Sequence, residues 1–414
     1  MNREKRMDKR EFKQYKKQKL EDKLGLVDNK TKQTYKKQGF RNKSNRDSDN
    51  ETNHRFGKVM IETPNRTKPR NYTLSIAIPG SFVSNAVTLE LSTYLVGQIA
   101  RACTIYSVDE IIVYNDNLSN SKKLPFRRRQ RNEDEKPSTP ELFLRKVLEY
   151  CECPQYLRRD FFQFHPDFQF VGILPPLDAP HHVREWDIHC RFREGVVLDK
   201  LASGMSLVNV GLKRPVEIDR KLVAGVRVTV EIDHSNNKGK VVSPSKPNES
   251  GIYWGYRVRE ANSLQKVFDG CPYKNGYDVK IGTSERGNVS IDDENFTLPP
   301  NKKTVTQPQH ILIVFGGVAG IEECVDADES LKISGEDSHK MFDCWLNTCP
   351  LQGSRTIRTE EAVMLTLARL NPVIETSTSN SCEMKNTEKK IVTAKPIEFS
   401  DGSVSEESSD SDEN

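Results

Sequence analysis

No run of apolar residues in this chain reaches the length of a membrane span, and nothing near its start reads as a secretory leader. None of its glycine-bearing segments is followed by Gly-Lys-Ser or Gly-Lys-Thr, which removes a P-loop. The nine cysteines stand singly apart from Cys151 and Cys153. Cys344 and Cys349 lie five apart with no matching Cys or His pair, so no metal site is expected. Scattered thiols without an export signal fit a reducing nuclear or cytosolic setting. Hydrophobic residues make up 35% of 414 and charged residues 29%. Such a core cannot fill the whole length; one large domain with an insert, or two modest domains, flanked by polar tails, is the expectation.

The net charge of +4 conceals an asymmetry. Residues 1–70 are rich in Lys and Arg, with interleaved aromatics in Tyr15-Lys16-Lys17, Tyr35-Lys36-Lys37 and Phe40-Arg41-Asn42-Lys43. This is expected to be a disordered basic tail, serving either phosphate attraction and nuclear or nucleolar targeting or solubility alone. Residues 373–414 form the opposite tail, acidic and serine-rich, with Ser403, Ser405, Ser408, Ser409 and Ser411 among acids as candidate phosphorylation sites.

Order is expected from Tyr72–Ile78, a strand stopped by Pro79-Gly80. A helix over Leu89–Tyr106 follows, with Leu91, Leu95, Ile99 and Ala102 on its apolar face, then a strand over Glu110–Tyr114. Strand, helix, strand opens a parallel α/β sheet. A polar stretch containing Arg127, Arg128 and Arg129 reads as a basic loop, solvated or in contact with RNA. Leu142–Tyr150 and Tyr156–Phe162 read as helices. His181-His182 lacks a carboxylate at helical spacing and is not assigned a role.

From Trp186 to Val242 the texture changes to short alternating runs with turn residues, which argues for a small β-barrel inserted into the α/β domain. Barrels of the OB type bind single-stranded nucleic acid, and Arg191, Arg193, Lys213, Arg214, Lys221 and Arg227 supply positive charge. The chain then returns to α/β with a strand over Tyr253–Val258, a short helix over Ser263–Phe268 and a strand over Tyr277–Ile281. The last helix is expected over Glu360–Leu370, stopped by Asn371-Pro372. Domain boundaries follow at 1–70, 71–186, 187–243, 244–372 and 373–414.

Three glycine-bearing loops stand at strand ends: Gly282–Gly287, Gly316–Gly320 after the buried run His310–Phe315, and Asn347–Thr356. Ligands in open α/β sheets bind at such ends, so the three would form one pocket if their strands are neighbours. A Rossmann fingerprint normally opens its domain, whereas Gly316-Gly317-x-x-Gly320 comes late. Turn glycines alone are the other reading.

Five segments in order, Tyr72–Gly80, Gly97–Cys103, Ile281–Gly287, Phe315-Gly316-Gly317 and Asn347–Ala362, resemble the SPOUT-domain RNA methyltransferases, in the eukaryotic and archaeal branch with an OB-like insert. The likeness runs from about residue 72 to 372. It implies an α/β fold with a C-terminal trefoil knot holding S-adenosylmethionine, a homodimer, no membrane partner, and an RNA substrate whose favoured target is uridine N3 of large-subunit ribosomal RNA. Carried over by motif, the cofactor contacts are Arg286, Gly320, Asn347 and Thr348, then Thr283, Gly316, Gly317 and Gly353. The expected RNA contacts are Arg127, Arg128, Arg129, Arg191, Arg193, Lys213 and Arg214. The catalytic base is not assigned, since helix capping already accounts for Glu360 and Glu361. The implied residence is the nucleus or nucleolus, and the alternative is a non-catalytic scaffold at the spindle, centrosome or kinetochore.

Overall fold

A computed structural model describes residues 53–54, 57–58, 69–117, 138–187, 190–202, 204–233, 235–236, 238–300 and 309–378. The basic loop with Arg127, Arg128 and Arg129, nearly all of the basic tail, and residues 379–414 of the acidic tail lie outside them. The chain divides into two units, Met1–Glu62 and Thr63–Asn414. The first contributes two short antiparallel strands, Asn53–His54 and Gly57–Lys58.

The second unit is built on a parallel sheet. Its strands are β1 (Thr73–Pro79), β2 (Glu110–Tyr114), β8 (Arg257–Ala261), β9 (Val279–Thr283), β10 (Val289–Ser290), β11 (His310–Val314) and β12 (Cys344–Asn347). Their order is β8-β2-β1-β11-β9-β12-β10, and every pair is parallel. Apolar residues fill both faces, as parallel strands covered on two sides require. Ile76, Ile111, Ile281, Ile313 and Leu346 face one core with helices α1 (Leu89–Ile105), α2 (Pro140–Glu152) and α5 (Thr359–Thr378). Ala77, Ile112, Leu312, Val314 and Trp345 face the other, with α3 (Leu264–Asp269) and α4 (Gly320–Asp326).

Local chemistry sets the helix starts. Thr88 accepts from the Leu91 amide at 3.2 Å and Thr139 from the Leu142 amide at 3.3 Å, the latter with Pro140 in the first turn. The buried face of α1 matches the expected one in part, with Ile99 and Ala102 fully buried. Ser92, Val96, Ile99, Ala100 and Cys103 point inward, while Leu91 is 50% exposed and Leu95 only partly buried. Small residues let the helix approach closely, and a Cβ on Gly97 would meet Leu174 Cδ2 at 2.6 Å. Apolar periodicity marks bulk, and here the closest packing uses little of it.

Two other expectations are corrected. The strand placed at Tyr253–Val258 lies at Arg257–Ala261, because Tyr253 and Tyr256 instead bury their hydroxyls on the Val108 and Leu148 carbonyls before pairing with β2 begins. The last helix passes through Pro372 to Thr378. Proline cannot donate to the preceding turn, yet Ile374 and Thr378 are buried beyond it. Asn71 Nδ2 donates to the Thr378 carbonyl at 2.9 Å and Tyr72 to Glu375 Oε1 at 2.6 Å. Tertiary contacts outweigh the break.

Between α2 and β8 the chain forms a closed five-stranded barrel from β3 (Phe192–Ala202), β4 (Met205–Asn209), β5 (Val216–Ile218), β6 (Arg227–Asp233) and β7 (Lys238–Val242), in the order β3-β4-β5-β7-β6. Val197, Val208, Val216, Val230 and Ile232 fill its interior. On the outside of β3, Val196 packs on Cys153 and Leu157. Beside it Arg227 bridges Glu152 at the end of α2 (2.7 Å) and Glu194 of β3 (2.7 Å). Glu194 also accepts from Thr229 and from Trp254 Nε1, both at 2.6 Å. Buried His181 lies 3.0 Å from Glu152 Oε1.

Burial alone would raise the Glu152 carboxyl, but His181 and Arg227 outweigh it and hold the group down at about 2, below its ordinary 4.5. A depressed carboxylate stabilises the fold above its unfolded value and loses that contribution as pH falls through the folded one. Acid titration of unfolding should therefore show a loss between about pH 4.5 and 2 that Glu152→Gln removes. Arg227→Ala leaves two buried carboxylates without their shared cation. It should lower stability by about 3 kcal/mol, the low end for breaking a buried pair because Arg227 keeps 32% exposure. Denaturant melts with circular dichroism check both.

Candidate functional site

In the sheet β9 lies between β11 and β12, so the three loops after them leave side by side at one edge. They border a half-open cavity of about 320 Å³, to whose lining the start of α5 also contributes. Thr283, Arg286, Gly316, Gly317, Gly320, Asn347 and Thr348, seven of the eight expected cofactor residues, line it. Gly353 does not. Its segment turns outward on its own hydrogen bonds, Gln352 Nε2 to the Ser354 carbonyl and Ser354 Oγ to the Thr356 carbonyl, and a Cβ on Gly353 would meet nothing within 4 Å.

Glycine is required where backbone crosses backbone. A Cβ on Gly287 would stand 2.2 Å from the Asn347 nitrogen, and one on Gly316 would stand 2.2 Å from the Gly320 carbonyl carbon. Gly320 itself has φ of 92°, a region that side chains disfavour. The amide of Gly320 donates to the Gly317 carbonyl at 3.2 Å and closes the tight turn that opens α4.

The side chains at this edge mostly brace the loops. Asn347 Nδ2 donates to the Glu285 carbonyl at 2.8 Å and its Oδ1 accepts from the Cys349 amide at 3.0 Å, so one amide links two walls. Thr283 Oγ1 donates to the Val314 carbonyl at 3.0 Å and joins β9 to β11. Thr348 Oγ1 meets Thr366 Oγ1 of α5 at 3.0 Å. Arg286 is exposed at the rim, and among the described residues its guanidinium makes no hydrogen bond or ion pair. It is a cation available to a ligand.

Several participants were not assigned to the site from the sequence. Ser284 donates to Glu322 Oε1 at 3.0 Å, and Glu322 crowds the space where a Gly320 side chain would go. Thr359, at the start of α5, sends its hydroxyl to the Gly316 carbonyl at 3.2 Å and so fixes α5 to the β11 loop. Ala362 and Leu365 line the cavity one and two turns along. The only signal for Glu322 was its place two residues past Gly320, in the first turn of α4. Glu361 accepts from the Arg358 amide at 2.9 Å, in keeping with capping. Burial pushes the Glu360 carboxyl above its ordinary range. Burial also pushes the Cys324 thiol, beneath Gly320, up to about 11, which keeps it protonated.

The basic groups assigned to RNA divide sharply. Lys213, Arg214 and Lys221 are exposed. Arg191 is 61% exposed and lies 2.6 Å from Glu231. Arg193 is fully buried, which corrects its assignment as an RNA contact. It points to the same side of β3 as Gly195 and Val197, into the barrel, where it donates to backbone carbonyls instead of meeting solvent. Arg227 is likewise committed to Glu152 and Glu194.

A family described as "Putative RNA methyltransferase" matches residues 73–370, taking in the sheet, the barrel and the cavity. The chain is 48% identical over 312 residues to the 28S rRNA (uridine-N(3))-methyltransferase of Mus musculus, covering 73% of this chain and 77% of the relative. It is 44% identical over 331 residues to the protein of the same name from Homo sapiens, covering 76% and 81%. To that from Drosophila melanogaster it is 42% identical over 338 residues, covering 78% and 67%.

Two glycines separate cavity architecture from turn preference. Gly316→Ala forces a methyl onto the Gly320-Ile321 backbone and should cost about 2 kcal/mol or more in a thermal melt. Gly353→Ala meets open space and should stay within about 0.5 kcal/mol of the parent.

Proposed function

The chain belongs to this RNA methyltransferase family, and we propose that it methylates N3 of a uridine in large-subunit ribosomal RNA with S-adenosylmethionine as donor. The observation that carries this is the convergence of the β9, β11 and β12 loops on one cavity lined by their backbone, by hydroxyls and by Arg286 at the rim, whose guanidinium has no partner among the described residues. RNA methylation is the family's activity. The target atom and the donor are inferences from the named relatives and from the fit of the cradle.

The fit rests on the crossings. Gly287 and Gly316 bring main chain to main chain, which leaves amides and carbonyls free to line the space and no side chain to fill it. Val318, Ile357 and Leu365 add apolar surface suited to a nucleobase, and Thr283, Ser284 and Thr348 add hydroxyls near which a ribose would be bound. When bound, S-adenosylmethionine supplies an electrophilic methyl group on a sulfonium. The protein's own part is to position the uracil ring, exclude water from its N3 edge and lower the cost of losing the N3 proton. Arg286 is placed for the last of these, since a cation at the rim stabilises charge developing on a uracil oxygen beside N3.

The proposed trefoil knot has support in the strand order. The chain leaves β9 on one side of β12 and re-enters as β10 on the other, at the level of Leu346 and Asn347. Residues 284–288 thus step across the end of β12, and the chain continuing into α5 must leave past that loop. The barrel's five strands, with β5 and β7 paired in parallel, support the OB-like reading. A homodimer is supported by exposed apolar residues on two helices that pack together: Leu91 and Tyr94 on α1, Met364 and Leu365 on α5. Nuclear or nucleolar residence follows from a ribosomal substrate.

Calorimetry of S-adenosylmethionine with the full chain should give a single site, and Arg286→Ala should weaken it or leave it intact while abolishing methyl transfer. Asn347→Ala should weaken it about tenfold by freeing two loop walls at once. Methylated N3 blocks the Watson–Crick edge, so reverse transcription of ribosomal RNA from cells lacking the protein should lose one stop. Absence of donor binding by the parent chain, or unchanged stops, would overturn the reading.

A further inference from the structure

Arg193 is fully buried, yet among the described residues its guanidinium meets no carboxylate. Its guanidinium donates to three main-chain carbonyls: Val210 at 3.2 Å, Arg184 at 2.8 Å and Asp187 at 2.7 Å. The last two belong to a turn that is locked again from within. Asp187 Oδ2 accepts from the Arg184 amide at 2.7 Å, and the Asp187 amide donates back to the Arg184 carbonyl at 3.1 Å. A buried cation met only by carbonyls, with its Nε left without a hydrogen-bond partner among the described residues, is costly, and here it holds one short turn beside the barrel.

That turn carries Trp186, 70% exposed, whereas the other two tryptophans, Trp254 and Trp345, are 9% and 7% exposed. Arg184 lies over the Trp186 ring at 5.5 Å. The third carbonyl on Arg193, that of Val210, begins the segment bearing exposed Lys213 and Arg214, whose backbone stands within about 14 Å of the same anchor even if fully extended. One buried guanidinium therefore ties the turn that carries exposed Trp186 and Arg184 to the start of the segment that carries exposed Lys213 and Arg214, with Glu185 the one exposed acid of the turn. An aromatic face next to positive charge fits a strand whose bases are unstacked and whose backbone is anionic; a protein partner would favour an apolar surround.

We propose that Trp186, held beside the barrel by Arg193, is a stacking platform for an unpaired base of the RNA substrate, with Lys213 and Arg214 neutralising neighbouring phosphates. This rests on RNA being the substrate. It adds where outside the methyl-transfer cavity the strand is held, and it replaces Arg193 as an RNA contact with Arg193 as a positioning residue.

The test uses the full chain and a short single-stranded oligouridylate, with a duplex of equal length as comparison. Trp186→Ala should weaken single-strand binding by about tenfold or more and duplex binding little, while Trp186→Phe stays within about threefold of the parent. Binding should quench tryptophan emission in the parent and not in Trp186→Ala, since the remaining indoles are buried. Lys213→Gln with Arg214→Gln should instead lower the slope of log affinity against log salt by up to about 2. If Trp186→Ala binds the oligouridylate like the parent, the platform is wrong and the methyltransferase reading stands. If the parent binds S-adenosylmethionine but no RNA at all, both fail together.

Discussion

The site depends on a property of parallel sheets: every strand delivers its carboxyl end to the same edge. With β9 seated between β11 and β12, three loops far apart in sequence have nowhere to leave except side by side. The cavity is a consequence of strand order before it is a consequence of any side chain. Residues usually ranked as ligands then turn out to spend their polar groups on holding that edge together. Asn347 braces two loops and Thr283 ties two strands, while Thr359 pins the last helix to the glycine turn. The polar groups left over for a ligand are largely main chain, which is a surface that tolerates little substitution and needs little to stay in place.

The loops themselves were legible in the sequence because glycine clusters after β-branched runs have few other uses, and the barrel because its runs are short and regularly broken. Their meeting was not legible, since nothing local to Ile281, Val314 or Leu346 says which strands are neighbours. Other misreadings have specific causes. Arg193 alternates with outward-facing residues on β3, and a charged residue in such a pattern reads as exposed until the carbonyls waiting inside the barrel are seen. The expected face of α1 holds at Ile99 and Ala102 and fails at Leu91, because the core also reaches the helix through the small residues Gly97 and Ala100. Pro372 stops a helix in isolation and fails to when Ile374 is buried beyond it.

The barrel is joined to the sheet domain by a charged cluster in place of a purely greasy seam. Arg227, Glu152, Glu194 and His181 form a directional set with few equivalent arrangements. Apolar contacts between Val196, Cys153 and Leu157 supply adhesion without fixing an angle. The angle at which the barrel is held on the sheet domain rests on this cluster more than on the barrel's own core.

β10 deserves to be followed along the chain's own order of synthesis. It pairs with β12 alone, and β12 is made more than fifty residues later. Until then the step across from β9 surrounds nothing, and the edge of the sheet stays unpaired while α5 and its anchor at Asn71 are still missing. Everything N-terminal to β12, the barrel included, can be settled first. A ribosome making this protein releases it with this cavity as the last part to close, so a chain cut short before Asn347 has every strand of its barrel and lacks a wall of the cavity.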